Sequence, residues 1–208
     1  MSMDSDYSTK RRTPQQERGE RRVADLLAAA ASEFAEVGHE AATMKAIAKR
    51  AGSSIGAIYQ YFPNKEAVVS SLRAQYATEM EARWLRLEEA TAGLSVGERT
   101  QSFVDAMIRF MQERPAYITI FDPPAVTKRD RNTRNQLRSR LANVFLTRRP
   151  GVSQEAAARI ASVCLQIIKS MNALYADAKP QERPEIIKEY KLALTAYLEK
   201  RLLRSEGE

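Results

Sequence analysis

The 208-residue sequence predicts an all-α fold, and three observations carry this prediction. Ala, Leu, Glu, Arg and Lys dominate the composition, and runs of β-branched residues are missing, so helices are favoured over strands. Apolar residues recur at the helical period, as they do at Val23, Leu27, Ala30 and Phe34. Capping residues and helix breakers stand at the ends of these periodic stretches, and they predict where each helix begins and ends.

The helix boundaries follow from these caps and breakers. Two helices are predicted to be short, over residues 44–51 and 55–61, and Gly52 separates them. Longer helices are predicted over residues 65–90, 153–178 and 182–203. The residues that begin or end helices are Thr13, Pro14, Gly38, Thr43, Ser53 or Ser54, Asn64, Ser95, Pro115, Asp122, Pro150, Ser153 and Glu182.

The composition also limits the location and the chemistry of the protein. The one cysteine, Cys164, cannot form an internal disulfide, which fits a reducing compartment. No apolar stretch approaches the length that crosses a bilayer, and the first residues lack the apolar core of a secretory signal. Metal-ligand spacings, phosphate loops and nucleophile motifs are missing from the sequence. We therefore expect a cytoplasmic protein that is not an enzyme, with no cofactor and no membrane partner.

Positive charge is unevenly distributed along the chain. The formal net charge is +7, and a basic excess favours a polyanionic partner. Residues 10–66 hold ten Lys or Arg against seven Asp or Glu, whereas residues 127–150 hold eight against one. The second segment is predicted as a basic helix. Three roles stay open for it: a solvated face, attraction of an anionic effector, or contact with an acidic partner.

The two short helices have the spacing of a helix-turn-helix. Ala48 supplies a small residue where the helices cross, Gly52 follows four residues later, and Ile58 points inward six residues beyond the glycine. Ile47 and Ala51 are predicted to complete the small core. The alternative is an ordinary helical hairpin in a bundle, although helices of only two turns are unusual there. The outward positions, which suit a groove full of base edges, are Ser54, Ala57, Gln60 and Tyr61.

The stretch Thr43–Val69 resembles the N-terminal module of the TetR family of transcriptional regulators. The matching elements are the threonine cap, the sequence IAKRAG, the serine before IGAIYQYF, and NKEA at the start of the next helix. The resemblance is strong over residues 15–70, and beyond them only the length and the all-helical pattern agree. It implies a sequence-specific DNA-binding repressor that a small-molecule ligand releases from a pseudo-palindromic operator.

The resemblance assigns roles to individual residues. Thr43, Tyr59 and Lys65 match phosphate-contacting positions, and Gly56 lets the recognition helix approach the DNA closely. The positions that read bases or flanking phosphates are Lys45, Ser53, Ser54, Ala57, Gln60 and Tyr61. The recognition helix has no Arg or Lys, however, so it cannot make the bidentate guanine contact. A second interpretation therefore stays open, a small-molecule-binding or interaction module of the same fold that has lost operator binding.

Three parts of the chain are predicted from the helices and the resemblance together. Residues 1–12 form a disordered basic tail, residues 13–64 form the DNA-binding domain of three helices, and residues 65–208 form a helical domain for effector binding and dimerisation. The basic stretch over residues 10–22 is predicted to be either an arm near the DNA or a solvated tail and helix start.

A homodimer is predicted through the two last long helices. Val163 and Leu174 lie off the apolar line formed by Ile160, Ile167 and Met171, and the final helix likewise has apolar residues on more than one side. A monomer would bury only one stripe of each helix. Two such hairpins are therefore expected to pair around a two-fold axis.

A ligand pocket is predicted beside helix 65–90, because Met and aromatic side chains line adaptable apolar cavities. A closed core is the alternative for the same residues. The predicted pocket residues are Met80, Trp84, Leu87, Met107, Phe110, Met111, Tyr117, Phe121, Met171, Asn172 and Tyr175.

Overall fold

The computed structural model describes residues 14–121, 128–149 and 151–202, and within these residues there are helices and no strand. The predicted all-α fold is therefore confirmed. The predicted tail over residues 1–12 lies outside the described residues, as do Thr13, Asp122 and Pro150. The helices are α1 (Pro14–Ala41), α2 (Met44–Arg50), α3 (Ile55–Tyr61), α4 (Lys65–Ala90), α5 (Val96–Glu113), α6 (Ala116–Phe121), α7 (Lys128–Arg148), α8 (Gln154–Asp177) and α9 (Arg183–Leu202).

Polar side chains cap the N-termini of several helices, as the sequence predicts. The hydroxyl of Thr43 accepts a hydrogen bond from the backbone N–H of Ala46 at 3.1 Å. The side-chain carbonyl of Asn64 accepts one from the N–H of Ala67 at 2.8 Å. Each bond satisfies an N–H group that the first turn of a helix leaves unpaired. Serines cap three more helices in the same way, namely Ser54, Ser95 and Ser153.

Gly38 interrupts α1 close to its end. Its φ of 79° and ψ of 167° are not helical, and the chain makes one further turn before Ala41. Glycine tolerates this positive φ because it has no Cβ. The predicted end of the regular helix thus coincides with the break. The carbonyls that follow the break need partners from outside the helix.

The helices form two compact units, one ending at Leu72 and the other beginning at Arg73, so the division falls within α4. The predicted division lies at the start of the same helix, between residues 64 and 65. In the first unit, α2 packs against both α1 and α3. The side chains that are most deeply buried there are Leu26, Phe34, Ile47, Ile58, Val68 and Leu72.

The second unit is a helical bundle in which α8 packs against α7 and α9, and α5 packs against α9. Burying one large apolar side chain contributes about 1.5–3 kcal/mol, so this core is the main source of stability for the unit. Its most deeply buried side chains are Val104, Phe110, Ile120, Ile160 and Met171. Within the described part of the chain, no helix is both long enough and apolar enough to cross a membrane.

Candidate nucleic-acid interface and internal cavity

The turn between α2 and α3 is a Schellman motif at Gly52. The N–H of Gly52 donates to the carbonyl of Lys49 at 3.1 Å, and the N–H of Ser53 donates to the carbonyl of Ala48 at 2.9 Å. Gly52 has a φ of 58°, in the left-handed region where a Cβ causes strain. The predicted need for positive φ at this glycine is confirmed. The two bonds fix the direction in which α3 leaves α2.

Ile58 locks α3 onto the rest of the first unit. Its side chain is fully buried, together with Ile47 of α2. Ala48 is also buried, and its small side chain allows the two helices to approach closely. These three positions agree with the sequence prediction, whereas Ala51 is only half-buried. Because Ile58 fixes which side of α3 faces inward, it also fixes the side that faces outward.

The outer side of α3 carries polar and aromatic side chains. Tyr59 is 51% exposed, Tyr61 is 40% exposed, and Gln60 between them is exposed as well. Tyrosine hydroxyls can donate to phosphates, and a glutamine amide can pair with the edge of an adenine. The remaining predicted α3 contacts are also accessible: Ser54 and Gly56 are exposed, and Ala57 is half-buried.

The sequence prediction omits two residues at this surface. Ile55 is 44% exposed at the start of α3, where an apolar side chain can contact a thymine methyl group. Lys49 is exposed on α2, four residues after Lys45, which is exposed too. Residues four apart project from the same side of a helix, so the two lysines form one basic edge. Ile55 and Tyr59 are likewise four residues apart. This spacing in the sequence could have identified both Ile55 and Lys49 as part of the surface.

Lys65 holds the loop after the break in α1. Its ammonium donates to the backbone carbonyls of His39 at 2.7 Å, Glu40 at 3.1 Å and Ala42 at 3.1 Å. An ammonium has three N–H donors, and all three are thus used inside the protein. A phosphate contact, which the resemblance implies for Lys65, would have to compete with these bonds. The geometry gives this lysine a positioning role between α4 and the end of α1.

Two arginine side chains form hydrogen bonds between α1 and the region around the turn from α2 to α3. Arg22 donates through Nη2 to the hydroxyl of Ser53 at 2.8 Å, so this predicted DNA contact has a partner within the protein. Arg22 comes from the basic stretch that was predicted to be an arm or a solvated tail. Arg50 donates to Glu33 at 3.0 Å and to Glu36 at 2.5 Å, so two carboxylates oppose its charge.

Most residues of the predicted ligand pocket are packed into the core of the second unit. The ring of Tyr117 meets Phe110 edge-on at 5.4 Å and stacks at 4.4 Å on Phe121, which is 39% exposed at the end of α6. Burial raises the pKa of Tyr117 to about 12, although a hydrogen bond with Asn172 acts in the opposite direction. The other packed members of this set are Met80, Met107, Met111, Met171 and Tyr175.

A cavity of about 200 Å³ lies elsewhere in the same unit, between the end of α4 and helices α5, α7, α8 and α9. Trp84 and Leu87 are the predicted pocket residues that line it. The sequence analysis did not predict that α7 contributes to the cavity, because the many charges of α7 predict a basic helix. Apolar residues nevertheless recur in α7 at spacings of three and four, and those that line the cavity are Leu137, Leu141, Val144 and Phe145.

Two basic residues of the segment over residues 127–150 form bonds within the protein. Arg140 pairs with Glu81 of α4 at the edge of the cavity. Arg149 donates through Nη1 to the backbone carbonyl of Arg201 at 2.5 Å. The basic side chains at residues 128–134 lie outside the described side chains. Part of the charge of this segment therefore serves packing between helices of the unit.

Two sequence profiles match this chain. Residues 26–72 match the profile described as bacterial regulatory proteins, tetR family. Residues 97–198 match the profile described as tetracyclin repressor-like, C-terminal domain. The first match covers α2 and α3, and the second covers most of the helical bundle that contains the cavity.

Proteins of known description are similar to parts of the chain. It is 33% identical over 95 residues to the HTH-type transcriptional repressor KstR of Mycobacterium tuberculosis, which covers 46% of this chain and 41% of that protein. It is 32% identical over 104 residues to the HTH-type transcriptional repressor KstR2 of the same species, which covers 50% and 51%. The chain thus spans about half the length of the curated relatives it matches.

Solved structures share the fold over nearly the whole chain. A TetR-family transcriptional regulator from Streptomyces coelicolor aligns with a TM-score of 0.68 at 23% identity, covering 87% of this chain and 99% of that one. A TetR-family regulator from Mesorhizobium loti aligns with a TM-score of 0.64 at 17% identity, covering 87% and 96%. With both profiles matched in order on this fold, the chain belongs to the TetR family of bacterial regulatory proteins.

Proposed function

We propose that this chain is a sequence-specific DNA-binding transcriptional repressor, which acts as a homodimer and is released from its operator by a small-molecule ligand. The observation that carries the proposal is the orientation of α3. Ile58 is fully buried, while Tyr59, Gln60 and Tyr61 on the other side are exposed. A two-turn helix that is anchored in this way presents its side chains to a major groove, which admits one α-helix.

The recognition helix is expected to read sequence without a guanidinium or an ammonium group. Gln60 can pair with adenine, Ile55 can contact a thymine methyl group, and the tyrosines can position the helix on phosphates. Charge for non-specific affinity would come from Lys45 and Lys49 on the exposed edge of α2. We therefore expect operators in which A·T pairs and DNA shape contribute much of the specificity.

The proposed homodimer forms through α8 and α9. Val163 is 42% exposed and Leu174 47% exposed on α8, although the opposite side of this helix is buried in the bundle. Leu192 on α9 is 65% exposed. A second copy of the chain would cover this apolar surface by a two-fold interface, and the same symmetry suits a pseudo-palindromic operator.

The description of the relatives as HTH-type repressors supports repression as the mode of regulation. The cavity supports regulation by a ligand, because α4 contains Trp84 at the cavity and Lys65 in the DNA-binding unit. A ligand that favours one position of α4 would shift the population away from the DNA-binding form, provided that it binds the other form better. A coupling free energy of about 1–3 kcal/mol would weaken operator affinity by 5- to 150-fold.

Fluorescence anisotropy with the duplex upstream of the gene tests the proposal. We expect tight binding that falls steeply with salt, and a clear preference over a scrambled duplex of the same composition at physiological salt. Equal affinity for both duplexes would instead support the alternative, a module of the same fold that has lost operator binding.

The oligomeric state tests the dimer separately. Light scattering is expected to give a dimer at micromolar concentration, and Val163→Glu combined with Leu174→Glu is expected to give a folded monomer. Gln101→Glu, at an exposed position of α5, is the matched control and should leave the dimer intact. A monomer in the unaltered protein would contradict the proposed interface.

A further inference from the structure

The cavity in the second unit has an almost wholly apolar wall. Five helices contribute to it, and its residues include Trp84 of α4, Phe103 of α5, Val144 of α7, Leu165 of α8 and Leu198 of α9. The rings of Trp84 and Phe103 lie 5.3 Å apart and are tilted by 33°, so they form a continuous aromatic side of the cavity. Such a wall favours molecules with little polar surface, since each polar group buried without a partner costs free energy.

Both arginines at the cavity are engaged by the protein. Arg99 donates through Nε to the backbone carbonyl of Leu94 at 3.1 Å, and through Nη2 to the carbonyl of Thr91. Arg140 pairs with the carboxylate of Glu81. Each guanidinium keeps N–H groups that these bonds do not use, but Glu81 and Glu88 line the cavity as well, so two carboxylates balance the charges of the two arginines. The lining of the cavity therefore carries no net positive charge that would attract an anion.

Two hydroxyls of the wall are bonded within the protein, whereas the indole N–H of Trp84 is buried without a hydrogen-bond partner and is free to donate to one acceptor atom of an occupant. The hydroxyl of Thr91 donates to the carbonyl of Leu87 at 2.7 Å, and the hydroxyl of Thr100 donates to the carbonyl of Val96 at 2.8 Å. Cys164 is buried, and burial raises the pKa of its thiol to about 12, so the thiol is neutral. Neither hydroxyl proton is left to bind an anion.

The cavity is partly open to solvent, and its volume indicates the size of the molecule, or part of a molecule, that it can enclose. Apolar cavities of about 150 Å³ in proteins bind benzene, whereas drug-sized ligands occupy pockets of about 300–1,000 Å³. At about 200 Å³ this cavity lies near the lower of these two values. Scaling from benzene gives an occupant of about eight non-hydrogen atoms.

We infer that this cavity binds a compact, uncharged, predominantly apolar molecule of about eight non-hydrogen atoms, and that it discriminates against carboxylates of similar size. The inference depends on the proposed function only where the occupant is called the effector. Binding itself is measured without DNA, so loss of operator binding and absence of cavity binding are separate outcomes.

The experiment compares ethylbenzene with benzoate on the full chain. Trp84 is the only tryptophan, so its fluorescence, excited at a wavelength that neither probe absorbs, reports directly on the cavity wall. We expect ethylbenzene to change this emission and to raise the melting temperature, both in a saturable manner. Benzoate is expected to bind at least tenfold more weakly. Equal or tighter binding of benzoate, or no saturable response to ethylbenzene, would overturn the inference.

A cavity-filling variant tests whether the probe binds inside the cavity. Val144→Phe adds volume at the wall and is expected to abolish the ethylbenzene response, whereas Gln101→Phe, at an exposed position outside the cavity, should retain it. Leu137→Phe serves as a second filling variant if Val144→Phe fails to fold. An undiminished response in a folded filling variant would place the probe elsewhere and would contradict the inference. If neither variant folds, the comparison of the two probes on the unaltered protein decides.

Discussion

The helix-turn-helix unit and the helical bundle differ in how their candidate functional surfaces are built. In the first unit, the candidate interface comes from about twenty consecutive residues, and caps, a glycine and one buried isoleucine determine it. In the second unit, the cavity has walls from five helices that are distant in sequence. A surface of the first kind is specified locally, whereas a surface of the second kind depends on how whole helices pack. Substitutions are therefore expected to act differently in the two units.

The largest effect is expected from Ile58→Ala. Truncating a fully buried isoleucine costs about 2–5 kcal/mol, because contacts are lost and a void is left in a small core. Ile168→Ala should cost less, since Ile168 already has the cavity on one side and fewer contacts to lose. Urea unfolding of both variants measures the difference. The expected contrast between the units is wrong if Ile168→Ala lowers the free energy of unfolding as much as Ile58→Ala does, or more.

Lys65→Met tests whether Lys65 positions the loop or contacts phosphate. Removing a charged donor from three carbonyls is expected to destabilise the protein by about 1.5–3 kcal/mol. Because these bonds lie within the protein, the salt dependence of DNA binding should keep its slope. The exposed Lys45 is the matched control, and Lys45→Ala should leave stability nearly unchanged while reducing the slope by about 1.

A stable Lys65→Met variant with a reduced salt slope would reverse the assignment of roles. In that case the phosphate contact implied by the family resemblance would be correct. The bonds to His39, Glu40 and Ala42 would then be secondary.

Cys164 is expected to affect stability at alkaline pH. Its folded-state pKa is raised from 9.0 to about 12 by burial, so between these pH values the unfolded chain releases a proton that the folded chain keeps. Stability is thus fully present below pH 9 and falls as pH rises, by about 1.4 kcal/mol per unit in that window. Urea unfolding at pH 8 and pH 10 should give a smaller pH-dependent loss for Cys164→Ala than for the unaltered protein. Equal losses would show that this thiol does not contribute.

The sequence predicts the first unit almost completely because its signals are local. Thr43, Gly52, Ser54 and Asn64 each determine the backbone within four residues, and the structure has them in those roles. Lys65 shows the limit of such prediction. Its partners lie 23 to 26 residues away, at carbonyls that follow the break at Gly38 near the end of α1.

The cavity could not be predicted from the spacing of Met and aromatic residues. Met107, Phe110 and Met111 are as suited to a closed core as to a pocket, and they are buried in the core. Whether space remains between helices depends on the summed packing of side chains from all of them. The spacing of Leu137 and Leu141 indicates only that one side of α7 faces inward.

Whether α3 reads DNA sequence is tested most directly by the sequence preference of two variants on a pool of randomised duplexes. Gln60→Ala is expected to change the preference at one base pair in each half-site by about 1–3 kcal/mol, with little change at other positions. Lys45→Ala is expected to weaken binding to all sequences about equally, since phosphate contacts carry no sequence information. If Gln60→Ala leaves every base preference as it is in the unaltered protein, α3 does not read the operator through this residue and the account is contradicted.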